Sequence, residues 1–90
     1  MTHELKVWTD YYPAIESGDK AFEIRKDDRH FQVGDELVLE EWDNVNESYT
    51  GRSLDAVVTY VFAGGAFGLE PGYCVMSIHT IDETNNAEKV

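Results

Sequence analysis

The sequence predicts a small, mostly β fold of the α+β class, a compact barrel with one short helix after the first strand. Three observations carry this reading. Five runs rich in strand-forming residues alternate with polar or glycine-rich connections. Only one stretch, around Tyr11–Ser17, is bracketed as a helix. Finally, the chain has 90 residues, 42% of them hydrophobic, with two Trp, five Tyr and four Phe. That suffices for one core, since each aromatic ring can bury roughly 150–250 Å². At this length, a mostly antiparallel sheet that curls on itself, with a helix plugging or flanking it, buries the most apolar surface.

Leu5, Val7 and Trp8 mark a first strand over Glu4–Trp8. Thr9 and Asp10 then offer capping oxygens for a helix running to Ser17. Pro13 suits the first helical turn, but it disfavours helical geometry at Tyr12, so the start can lie two residues after Asp10. Gly18 is a natural residue to end it. Lys20–Lys26 reads as a second strand with Phe22 and Ile24 on one face and Ala21, Glu23 and Arg25 on the other. Asp27–His30 is a polar loop, Phe31–Asp35 a turn, and Glu36–Trp42 a third strand. Asp43–Gly51 is read as a polar connection, Ser53–Phe62 as a long strand, and Ala63–Gly72 as a glycine-rich loop. Tyr73–Ile81 is the last strand. One domain is expected over residues 1–82, with a flexible polar tail over 83–90.

The single cysteine, Cys74, excludes an intramolecular disulfide and a cysteine metal cluster, and it reads as a buried small hydrophobe. With no membrane-length apolar run and no signal-peptide pattern, a cytoplasmic location without membrane association is expected. The formal net charge is −11. Such acidity favours solubility and opposes long-range attraction to phosphate backbones. The cations are not evenly spread, however. Lys20, Arg25, Lys26 and Arg29 fall within ten residues, with His30 beside them, whereas Lys6, Arg52 and Lys89 are scattered.

That cluster overlaps the segment Gly18-Asp19-Lys20-Ala21-Phe22-Glu23-Ile24-Arg25. On a strand, Glu23 and Arg25 share a face with about 7 Å between their Cα atoms. Lys20, at the helix-to-strand corner, can reach over the same face. Such a trio can hydrogen-bond a base edge or a phosphate, the carboxylate accepting amino protons and the guanidinium donating. It can equally form an ion-pair network that only solvates an open barrel face.

The segment fits Gly-x-Lys-x-x-Glu-x-Arg and so resembles the signature of ASCH domains in the PUA-like superfamily. The resemblance extends through Phe31–Leu37, Tyr49–Arg52 and Gly72–Ile78, covering about residues 3–81. More narrowly, it is to small ASCH-like proteins of phages and prophage-bearing bacteria. It implies a PUA-like barrel with a ligand cleft between helix and barrel, and binding of RNA or a modified nucleoside. Some similar proteins are amidohydrolases that deacetylate N4-acetylcytidine with a lysine, a threonine and a glutamate, and ribonuclease activity is proposed for others. The threonine lies three residues after the lysine, where this chain has Glu23, and a carboxylate does not replace an activated hydroxyl in acyl transfer. The resemblance therefore points to a binding module more than to an enzyme.

Candidate ligand-binding residues are Lys20, Glu23, Arg25, Arg29 and Tyr11, the last as an exposed stacking ring. Trp8 reads as core. His3, His30 and His79 lack metal-ligand spacing, so neither a metal nor a cofactor is expected. His30 reads as a solvated loop residue and His79 as partly exposed. Gly64, Gly65 and Gly68 lack the lysine and hydroxyl of a phosphate-binding loop and suggest a mobile lid instead. A further alternative is an acidic decoy, with Glu36, Glu40, Glu41, Asp43 and Glu47 engaging a basic protein.

Overall fold

The computed structural model describes residues 1–81. The tail expected over 83–90 lies outside the described residues. The elements run β1 (Thr2–Trp8), α1 (Tyr12–Ser17), β2 (Phe22–Lys26), β3 (Glu36–Asp43), β4 (Ser48–Ala63) and β5 (Tyr73–Ile81). They form one five-stranded sheet in the order β1-β3-β4-β5-β2. All neighbours pair antiparallel except β1 and β3, which run parallel with Leu5 opposite Leu39 and Trp8 opposite Trp42.

Alternation explains the core. His3, Leu5 and Val7 of β1 and Leu37, Leu39 and Glu41 of β3 point inward, as do Cys74, Met76 and Ile78 of β5. Tyr12 and Ile15 of α1 cover this interior and are almost wholly buried. The 16-residue β4 carries register shifts at Glu40/Trp42 against β3 and at Val58/Tyr60 against β5. Bulges of this kind bend and twist a strand, which lets the sheet curl. The curl is deep enough that side chains from β2 and the loop after it reach the backbone of β1, at the far edge of the sheet. The result is a half-barrel with an open seam between β1 and β2.

Several boundaries differ from the sequence reading. The strand β2 begins at Phe22, two residues after the expected Lys20. Neither Thr9 nor Asp10 caps α1; Tyr11 is the N-cap and makes no side-chain capping bond. A tight turn from the Trp8 carbonyl to the Tyr11 N–H, 2.9 Å, sets the helix entry instead. Gly18 ends the helix in the left-handed region, φ 88°, its N–H bonded to Ile15. The polar connection at Asp43–Gly51 is shorter than expected, because β4 already begins at Ser48. The Asp43 carboxylate accepts the N–H groups of Val45 and Asn46, both at 3.0 Å, and closes the hairpin in four residues. Residues 48–51 looked like loop because this end of the hairpin is solvated.

The glycine-rich stretch 64–72 is a chain of turns held by backbone bonds such as Gly65 to Leu69 and Gly64 to Tyr73. It contributes no side chain to the clefts described below.

Candidate functional site

The seam exists because the sheet has two unpaired edges. Ala21 accepts from Ile78 and Asp27 donates to Gly72, so alternate residues of β2 bond to β5. The backbone groups of Phe22, Ile24 and Lys26 therefore face away from β5. Across the seam, β1 exposes the carbonyls of Glu4 and Lys6. An unsealed edge invites pairing with other chains. Here two arginines bridge it, with Arg25 Nη2 donating to the Lys6 carbonyl at 2.5 Å and Arg29 Nη1 to the Glu4 carbonyl at 2.9 Å.

At one end of the seam lies an open cleft of about 570 Å³, within the range typical of small-molecule sites. On its floor is Glu23, which points into the barrel interior and is 4% exposed. A buried carboxylate requires charged partners. Lys20 Nζ donates to Oε1 at 3.0 Å and Arg25 Nε to Oε2 at 2.8 Å. Each Glu23 oxygen thus takes one bond and keeps acceptor capacity. Lys20 spends a second donor on the Phe22 carbonyl, 2.9 Å. Arg25 Nη1 makes no hydrogen bond among the described residues. Acceptors and donors therefore stand side by side.

Above this polar floor are aromatic walls. The tight turn stacks Trp8 on Tyr11, with ring centroids 6.3 Å apart and planes inclined by 18°. Both rings are about half exposed, and Phe22 and Ile24 of β2 are also exposed around the cleft. Lys20 Nζ lies 4.7 Å from the Phe22 ring centroid and 5.8 Å from that of Tyr11, a geometry in which rings and cation attract.

A second, more polar cleft of about 320 Å³ continues along the seam, lined by Glu4, Leu5, Lys6, Arg25, Arg29, Glu40 and Tyr49. Lys6 and Arg25 line both clefts. Lys6 Nζ rests 3.8 Å from the Trp42 ring centroid, and Trp42 meets Tyr49 edge to face at 4.9 Å. Among the described residues, five of the six Lys and Arg side chains border the two clefts, against three of the 15 acidic ones.

Of the residues singled out in the sequence, Tyr11, Lys20, Glu23 and Arg25 line the first cleft, and Arg29 lies in the second. Trp8 corrects the sequence reading: it is 47% exposed and forms a cleft wall rather than part of the core. Lys6, which looked isolated, and Lys26 also line the first cleft. Their placement follows from the parallel β1–β3 pairing and the curl, which no local pattern announces. The polar face of β2 turns inward while Phe22 and Ile24 face solvent, and that inversion was the available signal. His30 is exposed, adopts φ 54° and lines neither cleft.

Other buried polar groups are structural in their bonding. Glu41 accepts from Thr50 at 2.6 Å and from Arg52 at 2.9 and 3.0 Å. The Arg52 and Thr50 bonds hold its carboxyl below the usual range. Asp35 accepts from the Gln32 N–H at 3.0 Å and lies 2.9 Å from His3 Nε2. Those two contacts lower its pKa as well. Burial pushes the Cys74 thiol up, which makes it a poor nucleophile. Among the described residues, no group of three or more His, Cys, Asp or Glu is arranged to hold a metal ion. Among the same residues, no helix is long and apolar enough to cross a membrane.

Comparison with known proteins places the chain beside a phage protein. It is 41% identical over 59 residues to the "Uncharacterized 12.9 kDa protein in GpA 3'region" of Escherichia phage P2, a match covering 66% of this chain and 52% of the other. The chain thus spans about half the length of that relative. A family model matches residues 2–78, from the start of β1 into β5 and across the whole cleft. The chain therefore belongs to the family described as a domain of unknown function, DUF3850.

Proposed function

We propose that this chain is an ASCH-type, PUA-like domain that binds a nucleobase, presented by RNA or by a modified nucleoside, in the cleft between β1, β2 and the residues that flank α1. One observation carries the reading: Lys20, Glu23 and Arg25 converge beneath an exposed Trp8–Tyr11 stack. A flat heterocycle has two needs, apolar contact for its faces and mixed donors and acceptors for its edge. The cleft offers both. Stacking on an aromatic ring contributes about 1–3 kcal/mol per base, and the free lone pairs of Glu23 beside the donors of Lys20 and Arg25 suit an amino-and-carbonyl edge. The enclosing acidic surface opposes long polynucleotides and favours a single nucleoside or a short single strand. The cytoplasm is the compartment in which such ligands occur.

Binding accounts for the geometry better than hydrolysis does. Thr50 is committed to Glu41, and no threonine lines the cleft with Lys20. The decoy alternative has less acidic surface to work with than the sequence suggests, since Glu41 is buried against Arg52. A thermal-shift screen of canonical and modified nucleosides tests the proposal. A stabilising ligand is expected for the wild type, with the shift lost in Lys20→Ala. Equal shifts in both proteins, or none in the wild type, would count against it.

A further inference from the structure

The two clefts are not independent. They meet at Lys6 and Arg25, and the second is built differently from the first. It lacks the stacked ring pair and instead combines two guanidinium groups with the carboxylates of Glu4 and Glu40. The carbonyls that anchor Arg25 and Arg29 belong to Lys6 and Glu4, two residues apart on β1. Along a strand, carbonyls two residues apart stand roughly 7 Å from one another, a spacing comparable to one nucleotide step of an extended single strand, and each guanidinium group donates to one of them. Each keeps donors beyond its carbonyl bond.

We propose that the second cleft is a sugar–phosphate subsite, so that the ligand of this seam is a short ribo-oligonucleotide of at least two residues and not a free nucleoside. The inference rests on the base-binding reading of the first cleft. A base held by Glu23, Lys20 and the Trp8–Tyr11 walls sends its phosphodiester across Arg25 toward Arg29. The guanidinium groups donate to the non-bridging oxygens. Glu4 and Glu40 repel a bare phosphate cluster, but they are suited to accept hydrogen bonds from ribose hydroxyls, including the 2′-OH that distinguishes RNA from DNA. The same carboxylates set the limit on length, because beyond this subsite the surface is acidic.

Quenching of the half-exposed Trp8 gives the readout, with cytidine, adenosine and guanosine, their ribodinucleotides and the matching deoxy-dinucleotides as probes. The best ribodinucleotide is expected to bind about tenfold or more tightly than its nucleoside, the size of one charge-assisted contact. Arg29→Gln is expected to erase that gain, bringing the ribodinucleotide down to the affinity of its nucleoside. A neutral methylphosphonate linkage in place of the phosphodiester tests the same contact with the wild-type protein, and loss of the gain is again expected. Equal affinity for nucleoside and ribodinucleotide would overturn the subsite while leaving the base-binding cleft standing. So would a gain that survives either change, or deoxy-dinucleotides binding as well as ribodinucleotides. Absence of binding by every probe would overturn both.

Discussion

Glu23 is the residue on which the site turns. A carboxylate pointing into a barrel is tolerated only because Lys20 and Arg25 each hold one of its oxygens. Much of this was legible in the sequence, because Lys20, Glu23 and Arg25 are neighbours along the chain and strand periodicity puts the last two on one face. Trp8 was misread although the signal was there. With Leu5 and Val7 inward, strand alternation puts its ring outward, and the turn from Trp8 to Tyr11 then stacks it on Tyr11. The other buried carboxylates make a separate prediction. Asp35 and Glu41 titrate below their ordinary values of 3.8 and 4.5 in the folded chain. The unfolded chain therefore binds more protons as the medium is acidified. Their stabilisation is complete above about pH 5 and is lost as pH falls through 4.5 and 3.8 to the depressed folded values. Urea midpoints are expected to fall between pH 5 and pH 3, and less steeply in Glu41→Gln. An equally steep fall in the variant would contradict the assignment.

Among the elements, β5 and the end of α1 follow from local signals: a run of β-formers bounded by Gly72, and Gly18 at its positive φ. The parallel pairing of β1 with β3 does not, since it joins residues 34 apart and leaves no mark on either strand's composition. Without that pairing, Arg29 cannot be related to Glu4 or Lys6 to Trp42. The start of β4 was missed for another reason. Its first residues are solvated, and their strand geometry depends on the Asp43 turn and on Trp42 meeting Tyr49. The glycine-rich connection after β4 reads as a lid in the sequence, yet Gly64 has a packing role. A Cβ there would lie 2.0 Å from the Glu70 carbonyl oxygen and 2.7 Å from that of Tyr73. Gly64→Ala is expected to cost about 1–3 kcal/mol, lowering the melting temperature by roughly 5 °C or more. Gly65→Ser, with open space around it, serves as the comparison for backbone strain alone. An unchanged melting temperature in Gly64→Ala would show that this turn is not packed as described.

Across the whole molecule, the curl of the sheet converts an edge problem into a site. A flat five-stranded sheet would leave β1 and β2 on opposite sides, each with free backbone groups. Brought together, they enclose a seam that arginines bridge, aromatics wall and five cations border, on a chain whose net charge is −11. The sequence shows the local excess of positive charge at Lys20–Arg29 but not that Lys6 joins it. Mapping amide chemical shifts while titrating a ribodinucleotide into isotope-labelled protein tests the central claim most directly. Perturbations are expected at Trp8, Tyr11 and Lys20–Lys26, extending to Glu4 and Arg29, with Thr50–Arg52 and the 64–72 turns unmoved. Shifts centred on Glu41 and Arg52, or no shifts at all, would contradict a binding seam between β1 and β2.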